Sequence, residues 1–132
     1  MNDLAPAVDT VEYIEAHGQR VLLVVNCNHE VPKILAAIDH MAGEVAKAPD
    51  LSLRVVLDVV GGSVQDQGTR HWERQLPLFN QKILKGAVVS GGLKRLVASA
   101  IVMTARLRGM ELAERVRIFG DRQEAIDWVS QD

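Results

Sequence analysis

The chain has 132 residues, 48% of them hydrophobic and 24% charged, with a formal net charge of −2. That length suits one domain around one core, and the composition is too apolar for disorder. With 4% aromatic residues and no basic excess, the chain lacks both the phosphate-neutralising footprint and the stacking platform of a nucleic-acid binder, which argues against nucleic acid as a partner.

Residues 1–8 include Pro6 and mostly small or polar side chains without a period, and are expected to form a flexible arm. Residues 9–132 are expected to form the domain. Val11 and Tyr13 alternate with a polar residue, and Ala16-His17-Gly18-Gln19 leads into Val21-Leu22-Leu23-Val24-Val25. The pattern predicts a hairpin with an exposed first strand and a second strand covered on both faces. Ile34, Leu35, Ile38, Met41, Ala42 and Val45 fall at helical spacing, and Pro32 fits only in the first turn of that helix. After Ala48-Pro49-Asp50, residues 53–60 predict another inner strand, ended by Gly61 and Gly62. Trp72, Leu76, Phe79 and Ile83 mark one face of a helix between residues 66 and 84. Pro77 lacks an amide donor and its ring meets the carbonyl of Glu73, so the segment is expected to kink or split there. Residues 86–89 predict a short strand running into Ser90-Gly91-Gly92, and residues 93–107 a strongly apolar helix closed by Gly109. Residues 116–119 give the last strand. Asp121 stands three residues before Glu124, a capping-box spacing, and opens a final helix with Ala125, Ile126, Trp128 and Val129 on its apolar side.

The order ββαβαβαβα implies an α/β fold with a central mixed, mostly parallel sheet, the first strand antiparallel to the second. Residues 96–105 are apolar apart from Ser99 and Thr104, but Arg95 and Arg106 bound them and they are too few to span a bilayer. The single cysteine, Cys27, permits no intramolecular disulfide, and Met1-Asn2-Asp3 opens no apolar signal core, so a cytoplasmic location is expected.

Few residues suggest chemistry. His29-Glu30-Val31-Pro32-Lys33 begins like a zinc-protease motif, but Lys33 holds the second ligand position and Pro32 breaks the required turn. Histidines 17, 29, 40 and 71 have no ligand spacing and read as surface residues; no metal or cofactor is expected. Cys27 lies just beyond an inner strand, and would act as a nucleophile only if His29 folded back as its base. Ser90-Gly91-Gly92 runs from strand to helix, where bare backbone N–H groups suit an anion and Lys94 and Arg95 add charge, or where glycines serve only a tight turn. Trp72 and Trp128 stand on apolar faces and read as core. Arg106, Arg108, Glu111, Glu114 and Arg115 mix both signs and read as a solvated face.

Two stretches resemble a known family. Leu53-Arg54-Val55-Val56-Leu57-Asp58-Val59-Val60-Gly61-Gly62-Ser63-Val64-Gln65-Asp66 is similar to the central strand, aspartate and following loop of the STAS-like (SpoIIAA-like) domains, the fold of bacterial anti-sigma-factor antagonists. Val116-Arg117-Ile118-Phe119-Gly120-Asp121-Arg122-Gln123-Glu124-Ala125-Ile126-Asp127-Trp128 is similar to their last strand and final helix, and the resemblance runs from about residue 11 to the end. The antagonists carry a phosphorylatable serine directly after an aspartate. Asp66 matches that aspartate, but Gln67 and Gly68 occupy the hydroxyl positions, and Thr69 and Ser63 stand out of place. The resemblance thus implies a single STAS-like domain that works by binding, without the phosphoswitch. The expected role is a non-enzymatic regulatory or ligand-sensing module for a protein partner or a small anionic or apolar ligand; the alternative is a small enzyme using Cys27 with His29. The two glycine turns follow parallel inner strands, so Gly61, Gly62, Ser63, Asp66, Thr69, Ser90, Gly91 and Gly92 are expected to meet at one carboxyl edge and form the ligand site. Ala98, Ile101, Val102, Met103 and Ala105 leave the helix over 93–107 apolar nearly all round, which predicts a homodimer through it or through residues 70–83.

Overall fold

A computed structural model describes residues 10–63 and 65–132, so the arm expected over residues 1–8 lies outside the described residues. Strands Thr10–Ala16 (β1) and Gln19–Val25 (β2) pair antiparallel, Thr10 against Val25 and Ala16 against Gln19. The two turn residues, His17 (φ 49°) and Gly18 (φ 75°), are both left-handed, as a two-residue hairpin turn requires to match strand twist. Strands Leu53–Asp58 (β3), Ile83–Val89 (β4) and Val116–Phe119 (β5) continue the sheet in the order β1-β2-β3-β4-β5, parallel from β2 onward. The helices are Val31–Ala46 (α1), Asp66–Lys82 (α2), Lys94–Leu107 (α3), Leu112–Arg115 (α4) and Arg122–Val129 (α5).

The period of two in the strands sorts the core. Leu22, Val24, Val55 and Ile83 pack with Met41, Val45, Leu76, Phe79, Ala105 and Leu112, which come from α1 to α4. Val21, Leu23, Val56, Ala87 and Val89 point the other way, onto Ala125, Ile126 and Val129 of α5. Four helices therefore cover one face and α5 covers the other, the arrangement that lets the central stretches 21–25, 55–57 and 86–89 of β2, β3 and β4 be free of polar side chains on both faces. Asp121 caps α5, its Oδ2 accepting the Glu124 N–H at 3.0 Å.

Several local expectations are corrected. Of the two outcomes expected at Pro77, the split does not occur: α2 runs through it as one helix. Pro77 is exposed, Leu76 and Phe79 beside it are buried, and the turn beyond it is pinned by Asn80, whose Oδ1 accepts the Leu112 N–H at 2.9 Å. Tertiary anchoring on both sides outweighs the lost backbone bond. Ile83, expected on the helix face, is the first residue of β4, paired with Leu53, and β3 stops at Asp58 rather than running to residue 60. The helix order gains α4 before β5. In α1, Ala37 joins the buried stripe while Leu35 is only half-buried. Arg115 does not belong to a solvated face: its Nε donates to Ile83 O at 3.0 Å and its Nη2 to Asn80 O at 2.7 Å. Trp72 and Trp128 are half-buried at the margins of the two core clusters rather than within them.

Candidate functional site

Because β2, β3 and β4 are parallel, the segments that follow them leave at one edge. Backbone bonds carry the ladder beyond the strands: Asn26 N–H donates to Asp58 O at 2.9 Å, Val59 N–H to Val89 O at 3.0 Å and Ser90 N–H to Phe119 O at 2.9 Å. The loop after β3 then folds onto the loop after β2, where Ser63 N–H donates to Asn28 O at 3.1 Å. Gly62 sits in that crossing. A Cβ there would lie 2.8 Å from Asn26 O and 3.2 Å from Asn28 O, so only glycine fits.

Side chains complete the edge. Asp58 is 6% exposed; its Oδ1 accepts the Val60 N–H at 3.0 Å and its Oδ2 pairs with Arg122 Nε at 2.7 Å, tying β3 to α5. Lys94 Nζ donates to Val60 O at 2.6 Å and so joins the first turn of α3 to the loop after β3. His29 Nδ1 is hydrogen-bonded to Ser63 Oγ. Asp66 is exposed in the first turn of α2 and makes no cap; Gln65 holds the N-cap position, also without a side-chain cap bond. Gly92 has φ 58°, a left-handed turn residue.

Beneath this edge, between the sheet and helices α2 and α3, lies a cavity of about 150 Å³. Its walls include Val55, Leu57, Trp72, Leu76, Phe79 and Ile83 with Val97, Ala98, Ile101 and Val102 of α3. Trp72 and Phe79 form a tilted aromatic pair, centroids 6.0 Å apart. The polar lining comes from the carboxyl edge: Asn26 after β2, Ser63 after β3, Gln65 at the N-cap of α2, Thr69 in its first turn, and Lys94 in the first turn of α3. The cavity is therefore polar at one end and hydrocarbon toward the start of β4 and β5, where Ile83 and Val116 line it.

Of the eight residues expected at the site, Gly62, Ser63 and Thr69 line the cavity. Gly61, Asp66, Ser90, Gly91 and Gly92 share the edge without lining it. The reason is directional. Gln65 and Thr69, four apart on a helix, face inward together, and Asp66 is turned away from them. Ser90 is fully buried, and its Oγ has no hydrogen-bond partner among the described residues. Sequence reasoning missed Asn26, Gln65 and the apolar walls, because a stripe that lines a cavity has the same spacing as one that fills a core.

α3 covers this face incompletely. Ala105 is its one fully buried residue, while Leu93 is 82%, Leu96 67%, Met103 46% and Leu107 80% exposed. No helix among the described residues is long and apolar enough to cross a membrane, and no group of three His, Cys, Asp or Glu residues among them is placed to hold a metal.

No family model matches the chain, and no curated protein matches it. Its structure is similar to that of an uncharacterised protein of the DUF3478 family with a SpoIIAA-like fold from Shewanella loihica PV-4, at a TM-score of 0.63 and 9% identity, over 96% of this chain and 99% of that one. The likeness establishes the SpoIIAA-like fold that the two stretches of sequence pointed to.

Proposed function

We propose that this protein is a non-enzymatic, cytoplasmic binding module of regulatory or ligand-sensing type, which takes a small apolar or amphipathic molecule into the cavity between the sheet, α2 and α3. The cavity carries the reading. Protein interiors are packed to crystal density, so a half-open, mainly apolar cavity of about 150 Å³ is a departure, and apolar cavities of this size take up molecules such as benzene. Its polar end lies at the carboxyl edge of a parallel sheet, the usual ligand position in α/β folds. In this reading Gly62, Ser63 and Thr69 touch the ligand, and Gly61, Asp66, Ser90, Gly91 and Gly92 form the surrounding rim.

Trp72 provides the test, since it lines the cavity whereas Trp128 packs on the α5 face. Titration with benzyl alcohol should shift the Trp72 indole N–H resonance and leave that of Trp128 in place, and Ala98→Trp should abolish the shift by filling the space. A Trp72 resonance unmoved at saturating hydrophobe overturns the reading.

The exposed leucines of α3 support a homodimer through that helix. Its cations, Lys94, Arg95 and Arg106, are unaccompanied by any acidic residue over 93–110. Like charges would oppose the pairing, so the dimer should tighten as salt rises. A monomeric mass by light scattering at both low and high salt would rule it out.

A further inference from the structure

We infer that the ligand is a small monocarboxylate whose head group is selected by Lys94, an inference that rests on the cavity-binding function proposed above. Among the described residues lining the cavity, Lys94 is the one charged side chain; no aspartate or glutamate lines it. Around it at the same end stand Asn26, Gln65 and Thr69, able to donate a hydrogen bond to an anion, and Ser63, whose hydroxyl is shared with His29. Ser63, Gln65, Thr69 and Lys94 are half-buried, so a head group placed there keeps partial contact with water while the rest of the ligand lies along apolar walls. The opposite end, walled by Leu76, Phe79 and Ile83, offers nothing to a second polar group. A molecule charged at one terminus and hydrocarbon at the other matches this polarity, and a diacid or a sugar does not.

Size narrows the class further. A cavity of about 150 Å³ admits a body near that of benzene, or an aliphatic chain of about five or six carbons. One of the three ammonium protons of Lys94 is used on Val60 O, at 2.6 Å, which fixes the amine at the entrance and leaves two for a carboxylate. Asp66, on the first turn of α2 at the same edge, is exposed and does not line the cavity.

Calorimetric titration of the intact protein with hexanoate and with 1-hexanol separates head-group selection from simple apolar binding. Hexanoate should bind about tenfold more tightly than hexanol, as expected of one partly solvated charge-assisted hydrogen bond. In Lys94→Met the preference should vanish, with the wild-type far-UV circular dichroism spectrum showing that the variant is folded. Equal binding of the two probes, or a preference that survives Lys94→Met, overturns the carboxylate inference and leaves the cavity reading standing. Binding of neither probe overturns both.

Discussion

Replacing Gly62 by alanine tests whether the edge is built on a backbone crossing. The added Cβ would lie 2.8 Å from Asn26 O and 3.2 Å from Asn28 O. Neither atom can be moved by rotating a side chain. Asn26 is held by its N–H bond to Asp58 O at 2.9 Å, and Asn28 O receives the Ser63 N–H at 3.1 Å, so relief requires the two loops to part and that second bond to stretch. Overpacking of this kind costs about 1–3 kcal/mol. Unfolding entropy of about 2.1 cal/mol/K per residue gives roughly 4 °C per kcal/mol for a chain of 132 residues, so Gly62→Ala should lower Tm by about 4–11 °C. Two neighbours calibrate the result. At Gly61 a Cβ would meet the Cys27 side chain, its Sγ 3.1 Å away, which gives more easily than backbone and predicts a smaller loss. At Gly91 nothing lies within 4 Å, and alanine should be neutral or stabilise by up to about 1 kcal/mol through the unfolded state. Thermal unfolding followed by far-UV circular dichroism measures all three. Wild-type stability in Gly62→Ala, or equal damage at positions 62 and 91, would refute the argument.

Arg122→Met leaves the buried Asp58 carboxylate with the Val60 N–H as its remaining described partner, and should cost about 1–3 kcal/mol in urea unfolding, with part recovered by adding Asp58→Asn. Hydrogen bonds from His17 and Gln123 hold the Asp127 carboxyl below its ordinary pKa. The folded state therefore binds that proton less readily than the unfolded chain, so the stabilisation is present at neutral pH and fades as pH falls through the lowered value. A carboxyl-carbon NMR titration should show the Asp127 midpoint rising in both His17→Ala and Gln123→Ala; an unchanged midpoint would refute the assignment.

Much of the fold was legible in the residues. The runs 21–25 and 53–58 carry valine and leucine on both faces, which only a strand covered twice over tolerates, and that alone predicts helices on both sides of a parallel sheet. The hairpin, Pro32 in the first turn of α1 and the Asp121 cap followed from backbone rules that act within a few residues. That the loops after β3 and β4 leave at one edge followed from parallel topology.

What the sequence withheld depends on atoms distant in the chain. The period 72, 76, 79, 83 continues unbroken through Ile83, yet Leu53 across the sheet claims that residue for β4. Pro77 stays within one helix because Asn80 is fastened to Leu112, more than thirty positions away in sequence. Gly62 reads as a turn glycine and proves to be a crossing point for two loops. The cavity could not be read at all, since Trp72, Ile101 and Val102 have identical spacing whether their helices close against each other or stand apart. Periodicity fixes which side of a helix turns inward, whereas the volumes of the facing side chains fix whether the space inside is filled.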